Sequence, residues 1–306
     1  MRAQKKKTCL KPKFRGLFIV LMLAVPLLLL CVFWLMANIE TFRLAFRDPM
    51  DLEWTFDNFV KFWDQVSSTN GSIFIAIKNT LIYFVAINVV AFLLNLVVAY
   101  FLYKKIFLSR FFRVIFYMPA IISAVALTTV FKEFISPDGP LGKICEIFGI
   151  QMSPKGLLGQ EETATATIVV YCFWTGFTTN MLLFSSALSR IPVEILEAIK
   201  LDGCGTFRTI WSFVIPLIWP TMSTLFIFSL TGIFNAGGPI LLFTNGNYNT
   251  STIAYWIFIQ VYGNGTVGGS GSYGLVSAAG LVFTAVGVPI IMLTKWLLER
   301  IPVVEY

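Results

Sequence analysis

From Thr209 to Thr294 the chain carries no charged residue. A stretch of that length does not fit inside one soluble core, whereas about 20 apolar residues already cross the hydrocarbon layer of a bilayer as a helix. The run has room for two such helices and a connection, and the Gly, Asn and Thr gathered between Ala236 and Gly274 mark where the connection falls. Composition agrees: of 306 residues, 57% are hydrophobic and 13% charged, far from the balance of a soluble domain.

Other uncharged stretches supply four more helices, giving spans at about 16–38, 79–103, 111–131, 164–189, 211–235 and 275–298. The fold class expected is an all-α integral membrane protein with six transmembrane helices. The first span follows the basic residues Lys5, Lys6, Lys7, Lys11, Lys13 and Arg15. Its apolar stretch is too long for a signal peptide and no small-x-small cleavage site follows, so an uncleaved anchor is expected.

Lysine and arginine number seven in residues 1–15, four in 104–113 and three in 190–208, against none in 236–274. By the positive-inside rule both termini, 1–15 and 299–306, face the cytoplasm together with 104–113 and 190–210. Segments 38–78, 132–162 and 236–274 then face outward. Within the first of these, Phe56, Phe59, Val60 and Trp63 recur at helical spacing, as in a helix lying on the outer membrane surface.

The formal charge of +7 does not point to nucleic acid, because the cations sit in short clusters between apolar runs. The chain has no histidine and its five cysteines are scattered, so no metal site and no Ser-His relay is expected, and no catalytic residue is assigned. Gly139-Pro140-Leu141-Gly142-Lys143 is too short for a phosphate loop and lacks its Ser/Thr. An ion-coupled secondary transporter is the rival within transport, but such carriers place ionisable groups in their spans, and Thr209–Thr294 holds none.

The segment 190–212, between the fourth and fifth spans, is patterned and not turn-like. Pro192 suits a helix start, Ile195, Leu196 and Ile199 form an apolar stripe, and Gly203 with Gly205 can end that helix and reverse the chain into a second one. Such a cytoplasmic helix pair fits a groove of a soluble partner; an interfacial helix pair bridging two spans fits the pattern as well.

The wording of this segment is more specific. Glu197-Ala198-Ile199, then Asp202-Gly203-Cys204, and, with nine residues between it and Gly203, Phe213-Val214-Ile215-Pro216, resemble the coupling signature of ABC-importer permeases. That pattern reads Glu-Ala-Ala, three residues, Gly, nine residues, Ile-x-Leu-Pro; here Ile199, Phe213 and Ile215 depart from it. Arg110-Phe111-Phe112-Arg113 with Met118-Pro119, Asn79-Thr80, and Leu242-Phe243-Thr244-Asn245-Gly246 are similar to the carbohydrate permeases of the maltose and glycerol-phosphate type, and the likeness covers about 15–300.

The resemblance implies the type I ABC-importer permease fold with a cytoplasmic coupling-helix pair in the bacterial cytoplasmic membrane. It also implies a second homologous permease, two ABC ATPase subunits and an extracytoplasmic solute-binding protein as partners. The solute is sugar-like; ATP and Mg sit on the ATPases, and no cofactor is bound by this chain. Glu197, Ala198, Asp202, Gly203 and Pro216 become the ATPase-coupling residues, with Glu197 making a polar contact and Gly203 the bend.

A polyol crossing the bundle must exchange water for neutral polar groups and aromatic faces. Cys172, Gly176, Thr179 and Asn180 share one face of the fourth span beside Trp174, and Thr231, Phe234 and Asn235 come together before Gly237-Gly238-Pro239. The resemblance places substrate contacts in these two neighbourhoods. The same small and polar residues also serve close helix packing, as Gly280 and Thr284 do on the last span.

Overall fold

The computed structural model describes residues 12–48, 53–68, 71–263 and 272–302. Among these the protein is helical, apart from one isolated antiparallel bridge between Arg47 and Trp54. Helix α1 spans Phe18–Ala45, the short α2 covers Asp57–Ser67 and α3 runs Ser72–Tyr103. Next come α4 (Ser109–Ile121), α5 (Ala124–Ile135) and α6 (Pro140–Ile147). Then follow α7 (Glu161–Leu188), α8 (Val193–Leu201) and α9 (Thr206–Thr231), with α10 (Ile253–Tyr262) and α11 (Tyr273–Glu299) last. Among the described residues five helices, α1, α3, α7, α9 and α11, are long and apolar enough to cross a bilayer singly, and there are six spans when the bent pair starting with α4 is counted as one.

The helices overrun the apolar stretches that announce them. α1 continues past 38 to Ala45, and α3 opens at Ser72, which puts the exposed Lys78 in its second turn, where a long stem can carry the charge outward. α9 opens at Thr206, inside the 190–212 segment, and closes at Thr231. Phe234 and Asn235 therefore lie beyond its end, in the tight turn Ile233–Asn235.

The third span, expected at about 111–131, is bent by 112° where α4 gives way to α5. Pro119 has no N–H to give to the last turn of α4, and Ile122 then takes extended angles (φ −85°, ψ 141°). Ser123 stays extended at φ −54°, ψ 134° before α5 restarts. Near the break the Thr178 hydroxyl of α7 donates to the Phe116 carbonyl at 2.7 Å, so the bend is pinned to a neighbouring span.

Wider π-turns interrupt α1 at Leu30–Leu35, α3 at Ala86–Ala91 and α9 at Ile210–Val214. The last has a covalent cause: Pro216 offers no N–H to the Ser212 carbonyl and its ring crowds it, so the preceding turn widens.

Side chains bury in patches between the helices. Phe92 and Leu96 of α3, Met181 and Phe184 of α7, and Val214 and Ile218 of α9 form one cluster. A second joins Phe62 of α2, Ile73 of α3, Trp256 of α10 and Phe283 of α11. α1 stands apart: its most apolar stretch is 0% buried, and only its last part, Met36–Ala45, packs on α11. The buried Asn58 of α2 donates through Nδ2 to the carbonyls of Ala45 and Arg47 at 3.1 and 3.0 Å, satisfying groups that the end of α1 leaves open.

Candidate functional site

The helix pair expected between the fourth and fifth spans is present as α8 and the first turns of α9. Pro192 (φ −56°, ψ 136°) precedes α8, and Ile191 and Ile199 are buried against the bundle. Gly203 sits in the left-handed region at φ +72° with open space where a Cβ would be; L-residues pay about 1–2 kcal/mol there, so glycine is the residue that reverses the chain at little strain. Thr206 then opens α9, which carries on without a break through Pro216 to Thr231.

On the outer side of this hairpin Glu197, Ala198, Asp202 and Gly203 are all exposed, while Pro216 is half-buried at the root. The ion pairs among the described residues are Arg43–Glu40 and Lys295–Glu299, so neither Glu197 nor Asp202 is paired with a described cation. Beside them Leu201 is 88% and Phe207 70% exposed. Large apolar side chains flanking two free carboxylates at a hairpin tip are the makings of a docking surface. The hairpin joins α7 through Ser189–Pro192 and runs directly into α9, so its tip is connected to two spans.

The residues expected along a solute path separate into two groups. Cys172 is 7% exposed and packs with Tyr83, Ile168 and Tyr171; a Cβ at Gly238 would lie 2.6 Å from its Sγ. Gly176 faces Ile87 of α3, and the half-buried Trp174 ring lies 6.3 Å from that of Tyr171. Asn180 is half-buried on the same helix; the side chain of Thr179 lies outside the described part. Cys172 and Gly176 lie on the seam between α3 and α7, with Cys172 closed off by the glycine above it.

Of the second group, the exposed Thr231 turns its hydroxyl to the Phe228 carbonyl at 2.7 Å, and Phe234 stacks on Phe283 with ring centroids 5.0 Å apart. Asn235 is exposed and opens into a cleft of about 220 Å³ with Gly237, Thr252, Tyr255 and Phe258. Thr252, Tyr255 and Phe258 carry no periodic signal in a stretch that reads as a connection, yet they bring a hydroxyl, a phenol and an aromatic face to the cleft that Asn235 borders.

This connection is tightly built. Asn245, Gly246, Tyr248 and Asn249 are all left-handed. Asn79 of α3 donates to the carbonyls of Asn249 and Ser251 at 2.6 and 2.8 Å, and Thr80 accepts the Ile253 N–H at 2.9 Å. Gly246 is required: a Cβ there would lie 2.3 Å from the Tyr255 ring. The Tyr255 hydroxyl donates to Asn245 Oδ1 at 3.0 Å, and burial pushes its pKa above the ordinary phenol value, keeping it a neutral donor.

Six apolar spans with a helix pair projecting between the fourth and fifth define a multi-pass membrane permease. The chain belongs to the binding-protein-dependent transport system inner membrane components, whose family profile matches residues 97–302. It is similar to the multiple sugar-binding transport system permease protein MsmF of Streptococcus mutans, 29% identical over 275 residues covering 89% of this chain and 92% of that one. It is also similar to the osmoprotective compounds uptake permease protein GgtC of Synechocystis, 25% identical over 248 residues, 77% of this chain and 85% of that one. A solved bacterial alginate ABC transporter, in complex with an alginate pentasaccharide-bound periplasmic protein, shares the fold at a TM-score of 0.79 and 21% identity over 94% of this chain and 96% of its own.

Proposed function

We propose that this chain is one of two translocation-pore subunits of a bacterial importer that moves a sugar or oligosaccharide inward by alternating access. The α8–α9 hairpin is the cytoplasmic element that a separate ATPase subunit grips. Glu197 and Asp202 supply polar contacts, Leu201 and Phe207 the apolar ones, and Gly203 the bend. Closure of two ATPases around ATP and Mg swings the hairpins and, through α7 and α9, tilts the spans. A second, homologous permease completes the pore, and an extracytoplasmic binding protein delivers the solute. Both termini lie in the cytoplasm, in keeping with the distribution of lysine and arginine.

The observation that carries this reading is the hairpin: two carboxylates without an ion-pair partner among the described residues and bare apolar side chains at its tip, attached to two spans. A sugar-like solute accords with the multiple sugar-binding system of the Streptococcus relative and the alginate oligosaccharide of the structural one. On this chain, Asn235, Thr252, Tyr255 and Phe258 form the solute-facing wall at one end of the path, with Trp174, Gly176 and Asn180 further along it.

The test is uptake together with copurification. Glu197→Ala should weaken retention of the ATPase by about tenfold, the worth of one charged hydrogen bond. Gly203→Pro, which cannot adopt φ +72°, should abolish uptake while the protein stays in the membrane. Wild-type uptake and wild-type ATPase retention in both variants would contradict the proposal.

A further inference from the structure

Between the end of α3 and the hairpin lies a cleft of about 490 Å³, within the size range of small-molecule sites. Its walls include Tyr100 and Tyr103 of α3 with Lys104 just past its end, Glu197 and Lys200 of α8, and Thr206 of α9. Tyr100 is 1% exposed and its hydroxyl has no hydrogen-bond partner. A buried phenol left unpaired costs about 1–3 kcal/mol, so Tyr100 gains a partner if its ring turns its hydroxyl toward a ligand in the cleft. The Lys104 ammonium stands 5.0 Å from the centre of the Tyr100 ring, and neither it nor Lys200 takes part in the ion pairs among the described residues.

Two ammonium groups against one carboxylate leave the cleft positive and suited to an anion. Glu197 and the threonine hydroxyl suit a ligand that also carries hydroxyls, and the Tyr103 ring suits the apolar face of a sugar. We infer that this cleft binds a small phosphorylated polyol, with the phosphate between Lys104 and Lys200 and the hydroxyls toward Glu197. The inference rests on the hairpin being the ATPase-gripped element. A ligand joining α3 to α8 then holds the lever still and occupies Glu197, slowing import when phosphorylated sugar accumulates inside.

Lysines near a membrane surface also meet phosphate on lipid headgroups, so the test separates the two sources. The full-length chain in phosphatidylcholine nanodiscs is titrated with glucose 6-phosphate, with glucose and inorganic phosphate as controls, and binding is read by phosphorus NMR and calorimetry. Glucose 6-phosphate should bind more tightly than inorganic phosphate, and glucose should not bind. Lys104→Gln and Lys200→Gln should each weaken binding by about tenfold, and adding phosphatidylglycerol to the discs should leave it unchanged. No binding, equal binding in wild type and both variants, or displacement by phosphatidylglycerol overturns the assignment.

A second arm uses proteoliposomes holding the assembled importer, with glucose 6-phosphate on the cytoplasmic side. Slower uptake supports the regulatory role, and an unchanged rate refutes it while leaving the importer reading intact. Absence of any ATP-driven uptake refutes the importer reading, whereas the nanodisc titration judges the cleft either way.

Discussion

Gly238 and Cys172 show how one missing side chain settles the fate of another. Where a Cβ would meet Cys172 Sγ at 2.6 Å and Ile168 Cγ2 at 2.7 Å, only glycine lets the chain after α9 lie down on α7. Gly238→Ala should therefore cost about 1–3 kcal/mol through overpacking, read as a lowered thermal unfolding midpoint in detergent, and Cys172→Ala should restore part of it. An unchanged midpoint in the single variant would mean that the two segments move apart freely. Helical spacing alone puts Cys172 on one face with Gly176 and Asn180. That this part of the face is covered depends on a residue 66 positions further along the sequence, and no local pattern reports it.

The hairpin and the outer connection differ in how much of them the sequence discloses. Pro192, the stripe of Ile195, Leu196 and Ile199, and Gly203 each have a local physical meaning, so α8 and its reversal are legible from residue order alone. The break between α4 and α5 is not, because apolar content says a segment enters lipid and not in which direction it continues. Nor is the 244–252 connection legible: its geometry comes from left-handed Asn and Tyr residues held by Asn79 on a distant helix. Asn79→Ala should strip the Asn249 and Ser251 carbonyls of their donor at about 1–3 kcal/mol. Hydrogen exchange should then speed up across 244–252 while the spans keep their protection; uniform protection would show the connection to be held by other contacts.

Across the whole molecule, the six spans follow from apolar length, whereas their contacts do not. α3 is the hub: it meets α7, α2 and α10 along its length, fastens the outer connection at one end and borders the phosphate-suited cleft at the other. α1, with its apolar body outside the bundle, contributes least to the internal packing. Asn95 of α3 is wholly buried with neither amide atom partnered, a cost that a shift of α3 against α7 would change.

Asn79 and Thr80 staple the 244–252 connection to α3, so in a pore that works by alternating access this connection is expected to travel with that helix. Spin labels on residue 247 and on α3 should report a constant distance whether or not nucleotide is bound, while the separation from residue 247 to α9 should change. On the proposed function, the width of the entrance then reads out how far a single helix has leaned.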